Sequence, residues 1–213
     1  MIAALDAPTI AAGTAYLRAA APALARTIDA VGPCTLTLES DYFRALVDAI
    51  IGQQISVKAA AAILARVLAL CAPDPVLTPA HLHALDEDAL RAVGCSRAKA
   101  IYLKDLSARI VAGHLDLAGL QWLPDEAIVA QLVAVRGIGR WTAEMFLIFS
   151  LGRPDVWPVD DLGVIIAARE VWALPARPKR KELLALGEPL RPYRTLAAWY
   201  LWQSRRLILG MPR

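Results

Sequence analysis

Cysteine is scarce in this chain of 213 residues: there are three, Cys34, Cys71 and Cys95. An odd and scattered set builds no disulfide framework, and its spacing fits neither a zinc site nor an iron–sulfur cluster. The compartment this implies is a reducing cytoplasm. Histidine is equally rare, and His81, His83 and His114 stand without clustered carboxylates, so no side-chain metal site is expected. An excess of one charge is also missing. The 23 Lys and Arg against 20 Asp and Glu leave a net charge of +3, which permits a nucleic-acid partner without demanding one. The mean hydropathy is positive, +0.45. Yet charges interrupt every apolar run well before the roughly 18 residues of a membrane span. The alanine-rich start lacks the basic segment of a signal peptide, so neither a membrane nor an export role is expected. Runs of β-branched residues and alternating patterns are too few to build a sheet.

What is present is helix-forming. Hydrophobic residues make up 57% of the chain, with alanine and leucine prominent, and the expected fold class is all-α with a substantial core. Residues 9–30 read as a helix with Tyr16, Leu17, Leu24 and Ile28 on one face, stopped by Gly32-Pro33. Residues 34–39 could be a short extended piece. Ser40 or Asp41 then caps a helix whose Phe43, Leu46, Val47, Ile50 and Ile51 recur at helical spacing. Gly52-Gln-Gln breaks it, and residues 56–70 form the next helix. Pro73, Pro75 and Pro79 mark a loop, followed by a helix over 79–92. Ser96 caps a helix to about Gly113 that offers Arg97, Lys99 and Lys104 to solvent. Pro124-Asp125 opens another, and later helices are expected from Asp160 or Asp161 to about 172, over 181–186 and over 195–209.

The centre of the chain is Leu132-Val-Ala-Val-Arg-Gly-Ile-Gly-Arg-Trp-Thr-Ala143. Ile128, Leu132 and Val135 before the glycines, and Trp141, Met145, Ile148 and Phe149 after them, keep helical spacing. Gly137-Ile138-Gly139 is too short a link for anything but a tight helix–helix hairpin. The glycines permit backbone angles closed to side chains and let another backbone or a phosphate approach. Ile138 should plug inward, and the amides of Gly139, Arg140 and Trp141 should open a helix N-terminus suited to an anion. The second helix is expected to end at Gly152-Arg-Pro154. Beyond it lies Trp157-Pro-Val-Asp-Asp-Leu-Gly-Val164.

The hairpin followed by a glycine/proline-rich loop and an aspartate resembles the helix-hairpin-helix DNA glycosylases. Gly-Ile-Gly-Arg-Trp-Thr-Ala, Pro-Val-Asp-Asp-Leu-Gly and Ile51-Gly-Gln-Gln-Ile-Ser56 resemble the DNA-3-methyladenine glycosylase II family within that superfamily, over roughly residues 40–205. The resemblance implies a two-lobed all-α fold with the active site in the cleft between lobes. Its parts would be an N-terminal segment 1–40 packing with the C-terminal lobe, a central lobe 41–144 and a C-terminal lobe 145–213. It would be a compact form without the N-terminal β-sheet domain of well-known bacterial members. A monomer acting on alkylated bases in double-stranded DNA is expected.

The family places its catalytic aspartate directly before Leu-Gly-Val, which selects Asp161 and leaves Asp160 as the cap or a bystander. A carboxylate there would stabilise the positive charge that develops on the sugar as an N-glycosidic bond breaks. Trp141 stands where strand-cutting relatives carry a Schiff-base lysine. Its indole would instead stack on an electron-poor alkylated base. Met145, Trp157 and Trp202 complete the expected base pocket. Gln54 would wedge into the gap left by the extracted base, whose extraction costs a few kcal/mol. Ser56, Lys99, Gly137, Gly139, Arg140 and Thr142 are the expected backbone contacts, which position without reading sequence. No cofactor is required. The family's monovalent ion, Na or K, would be held by the main-chain carbonyls of Val133, Val135 and Ile138. Two other readings stay open: a non-catalytic helix-hairpin-helix DNA-binding module, and a bifunctional glycosylase/lyase.

Overall fold

The computed structural model describes residues 5–72 and 76–210. Pro73 and Pro75 of the expected loop lie outside them. Among the described residues there is no strand, and the expected all-α class is what is found. The helices are α1 (Ala7–Ala20), α2 (Pro22–Val31), α3 (Tyr42–Gly52), α4 (Val57–Ala69), α5 (Pro79–Ala84), α6 (Glu87–Ala92) and α7 (Arg97–Val111), then α8 (Asp125–Val133), α9 (Arg140–Phe149), α10 (Leu162–Val171), α11 (Arg180–Gly187) and α12 (Arg194–Ile208). Short 3-10 turns lie at Gly119–Trp122 and Glu188–Leu190. No described helix is long and apolar enough to cross a membrane.

Two expected helices are split, and each split has a local cause. Pro22 lacks the amide that would continue a helix, so the chain breaks at Ala21 and restarts with the proline in the first turn of α2. At residue 86, an aspartate accepts from the Ala89 amide and caps a new helix inside what reads as one run. The helix expected to reach Gly152 ends at Phe149. The extended piece expected over 34–39 pairs with no other strand.

The described residues divide into two compact units, one within Met1–Leu38 and Leu147–Arg213, the other Glu39–Phe146. In the first, α12 packs on α1, α2 and α10. Leu17, Leu24, Ile28, Val164, Leu196 and Tyr200 are enclosed in its core. In the second, α7 packs on α3, α5 and α6, and α4 packs on α3. Its core is built from Leu46, Val47, Ile50, Leu82, Leu90, Leu103 and Leu106. Burying each of these side chains contributes roughly 1.5–3 kcal/mol.

Basic side chains in the second unit close helix C-termini, where unpaired carbonyls and the helix dipole attract cations. The Lys99 ammonium donates to the Ile51 carbonyl at 2.8 Å and is buried. Lys104 donates to the carbonyls of Leu85, at 2.6 Å, and His83. Arg66 Nε donates to Val93 at 2.8 Å. This corrects the expectation that Lys99 and Lys104 are offered to solvent. Truncation at Lys99 leaves a buried carbonyl without its charged donor. Lys99→Ala should therefore lower the free energy of unfolding in urea by about 1.5–3 kcal/mol. It should leave unchanged the salt dependence of any DNA binding, whose slope would fall by about one if the ammonium met a phosphate.

Candidate active site

In the hairpin, the turn between α8 and α9 is held by side chains of the second unit. Ile138 is buried, as its position between the glycines predicts, and its amide donates to the Val135 carbonyl at 3.1 Å. The Arg136 amide donates to Asp105 of α7 at 2.9 Å, and the Gly137 carbonyl accepts from the Gln53 side chain at 2.8 Å. Gly137 has φ +81°, and a Cβ there would lie 2.1 Å from the Tyr102 ring. The two glycines therefore differ. Gly137 is required by its own backbone and by its neighbour. Gly139 has no positive φ, and a Cβ there would meet open space, which corrects the expectation of unusual angles at both. The space over Gly139, at the start of α9, is where an outside group can approach.

Burial raises the Asp105 carboxyl, but the Arg136 amide and Arg109 outweigh it and hold the carboxyl below its ordinary value. Tyr102 and Asp105, one turn apart on α7, went unremarked in the sequence.

Arg140, an expected phosphate contact, is already paired. It grips Glu126 of α8 with a two-pronged contact, and its Nε donates to Glu144 at 3.0 Å. These partners raise its basicity further, and the Arg140 contact lowers the Glu126 carboxyl. The guanidinium thus acts as a clamp across the hairpin. Thr142 is buried, so its hydroxyl is not presented outward as expected. Ser56 caps α4 by accepting from the Ala59 amide at 3.2 Å. Gln54 is exposed at φ +58°, an unusual conformation for a side chain other than glycine, asparagine or aspartate. Its neighbour Gln53, missed in the sequence, makes the bond that ties this turn to the hairpin. Along α9, Trp141 is 48% exposed and Met145, one turn on, is half-buried.

In the first unit, the loop from 150 to 161 is fixed along its length. The Gly152 carbonyl accepts from the Leu5 amide at 2.8 Å. Thr195 of α12 donates to the Arg153 carbonyl and accepts from the Val156 amide. Arg194 holds Asp155 through its guanidinium. Trp157 is buried with its indole N–H donating to the Leu183 carbonyl at 2.9 Å, so it is core and not the pocket wall expected. Its ring lies so close to Gly187 of α11 that a Cβ there would sit 2.5 Å away.

This loop delivers Asp161 to the start of α10. Its Oδ1 accepts from the Val164 amide at 2.8 Å and from the Trp202 indole N–H at 2.8 Å. Of the two aspartates left open as the cap, Asp161 is therefore the N-cap, and Asp160 is exposed and paired with Arg180. Trp202 stacks on Phe149, ring centres 5.6 Å apart. The structure thus joins Asp161 and Trp202 directly.

No cluster of His, Cys, Asp or Glu among the described residues could hold a metal. The carbonyls of Val133, Val135 and Ile138 lie at the end of α8 and in the turn. They are hard, neutral oxygen donors suited to a weakly held cation. Val135 already accepts one hydrogen bond, which leaves a second lone pair for an ion.

Comparison with known proteins places the chain in a family. Residues 47–192 match the model of the HhH-GPD superfamily base excision DNA repair proteins. DNA-3-methyladenine glycosylase 1 of Schizosaccharomyces pombe is 36% identical over 170 residues, 79% of this chain and 75% of that protein. The crystal structure of a DNA-3-methyladenine glycosidase from Bacillus halodurans superposes with a TM-score of 0.85 at 32% identity, over 98% of this chain and 94% of that one. The S. pombe 3-methyladenine DNA glycosylase in complex with abasic DNA gives a TM-score of 0.78 at 33% identity, over 89% and 94%.

The glycines make a paired test. Gly137→Ala must relieve both a left-handed backbone and an overlap with Tyr102, and should lose about 2 kcal/mol or more of stability. Gly139→Ala should stay within about 0.5 kcal/mol of the parent protein. Urea titration of both variants decides it. Acid titration tests Asp105. Because its folded value is lowered, its contribution is complete above the ordinary carboxylate value near 3.9 and is lost as pH falls through the lower folded value. Asp105→Asn should make unfolding less steep in acid.

Proposed function

We propose, for a chain that belongs to the HhH-GPD superfamily of base excision DNA repair proteins, a monofunctional DNA glycosylase activity that hydrolyses the N-glycosidic bond of alkylated bases in duplex DNA. The observation that carries the reading is the Asp161 carboxylate. It is fixed by two donors at the end of a tightly anchored loop, in a chain whose hairpin helix has tryptophan where a lyase needs lysine. A DNA-binding module would need the hairpin but not this carboxylate.

As the base departs, positive charge builds on the sugar, and Asp161 stabilises it by electrostatics. The same carboxylate orients or deprotonates the attacking water. The water oxygen bonds to the anomeric carbon, the base leaves with the electron pair of the broken bond, and an abasic site remains in an intact strand. Trp141, about half exposed, offers its ring to an electron-poor alkylated purine. Met145, one helical turn further, adds an apolar and polarizable surface. Gln54, held outward by its turn, supplies the wedge that fills the vacated stack. The amides at the start of α9 serve the phosphate backbone, with the open side of Gly139 admitting it. A Na or K ion on the carbonyls of Val133, Val135 and Ile138 would add positive charge beside that phosphate. The protein acts as a monomer in this reading.

Asp161→Asn is the decisive variant. Asparagine caps a helix about as well as aspartate, so the fold should be kept. Base release from methylated duplex in single-turnover conditions should drop by at least about 100-fold, while affinity for an abasic duplex stays within about threefold. A wild-type rate in this variant overturns the assignment. Gly139→Ala should weaken binding to damaged and undamaged duplexes alike. In a nicking assay, strands should break only after alkali, and borohydride should trap no protein–DNA adduct. Breaks without alkali at the rate of base release would show a lyase.

A further inference from the structure

The motif Asp-Leu-Gly places a glycine two residues after Asp161, in the first turn of α10. Nothing in the backbone demands it, since Gly163 has no positive φ. Its surroundings do. A Cβ at Gly163 would lie 3.0 Å from Oδ1 of Asp161, 3.0 Å from Cδ1 of Trp202 and 3.2 Å from its Nε1. The missing methyl is therefore what lets the indole reach the carboxylate. The indole also stacks on Phe149, at an interplanar angle of 29°. Trp202 is half-buried and Phe149 is 36% exposed.

We infer that Trp202 is a positioning residue for Asp161, seated by the bare face of Gly163 and the ring of Phe149, and that this is a role distinct from stacking on the damaged base. An aspartate side chain capping a helix turns about its own bonds. The Val164 amide reaches Oδ1 from the helix side, and a single hydrogen bond tolerates an arc of donor–acceptor angles. A second donor on the same oxygen, from a ring that contacts Gly163 and stacks on Phe149, narrows that arc. Orientation of this kind matters because a carboxylate stabilises a developing cation, and directs a water, only over a narrow range of geometry.

The inference rests on the proposed glycosylase activity for its kinetic readout, and a second readout is independent of activity. The indole Nε1–H resonance of Trp202 is identified in the full-length protein by its loss in Trp202→Phe. It should move in Asp161→Asn and in Gly163→Ala. A resonance unmoved in both overturns the inference, whether or not the protein releases bases. Base release from methylated duplex in single-turnover conditions then gives the function. Trp202→Phe keeps an aromatic face and removes the donor, and should slow excision about 10- to 100-fold with unchanged affinity for an abasic duplex. Gly163→Ala should slow it similarly. The double variant should be no slower than the slower single, because both break one contact. Multiplying effects, or a loss confined to binding, would assign Trp202 to the base pocket and overturn the inference. A resonance that moves in the variants, with a wild-type protein that releases no base, would remove the glycosylase reading and leave the positioning contact standing.

Discussion

Backbone that leaves regular structure must still find hydrogen-bond partners where it is covered, and both segments of the candidate site are shaped by that requirement. The hairpin turn and the loop before α10 satisfy only part of their amides and carbonyls internally. Each borrows side chains from a neighbouring helix of its own unit. Asp105 and Gln53 serve the hairpin, and Thr195 serves the loop at two successive points. The borrowed donors and acceptors restrict each segment to one path. Rigidity of the functional residues is thus a consequence of satisfying the backbone, and it needs no additional device.

This also separates what the sequence revealed from what it concealed. Helical periodicity and the caps at Asp41 and Ser96 are local properties, so α3 and α7 were legible almost to the residue. The Gly-Ile-Gly turn was legible because only a tight hairpin fits between two helical runs. The splits at Ala21 and Asp86 were missed where an otherwise continuous apolar pattern outweighed a proline and a capping aspartate. Side chains acting across long sequence separations were invisible. A lysine on a helix reads as solvated until its partner, the Ile51 carbonyl 48 positions earlier, is known to lie within reach. Trp157 and Trp202 look alike in the sequence, and only packing makes one of them core and the other a partner of Asp161.

The electrostatics are economical in a way that composition does not disclose. With a net charge of +3, the chain has few cations to spare, and several of the most suggestively placed are committed internally. Arg140 is spent on Glu126 and Glu144, Lys99 on a helix end, Arg194 on Asp155. An anion approaching the start of α9 therefore meets backbone amides and the helix dipole, with the exposed Arg136 of the turn as the nearby side-chain cation. Such an interface recognises a phosphate by shape and close approach, for which the open side of Gly139 is suited. It suits a protein that must search undamaged duplex without being held there by long-range attraction.

In the proposed function Asp161 unites two roles that usually compete. A residue placed for chemistry is commonly a burden on folding, because its charge or conformation is not one the fold would choose. Here the carboxylate sits where a helix wants an acceptor, and it contributes about 1 kcal/mol as a cap. An uncharged asparagine would serve the cap equally well, so the fold asks only for an oxygen at this point. The negative charge is left for the reaction. The bond from Trp202 belongs with the chemistry on the same reasoning: the cap is complete with the Val164 amide, and a second donor on the same oxygen adds orientation that helix formation does not require. The bare face of Gly163 has its explanation there as well. In the first turn of a helix an alanine would favour folding more than glycine does, by up to about 1 kcal/mol. The room it would occupy is the room through which the indole reaches the carboxylate.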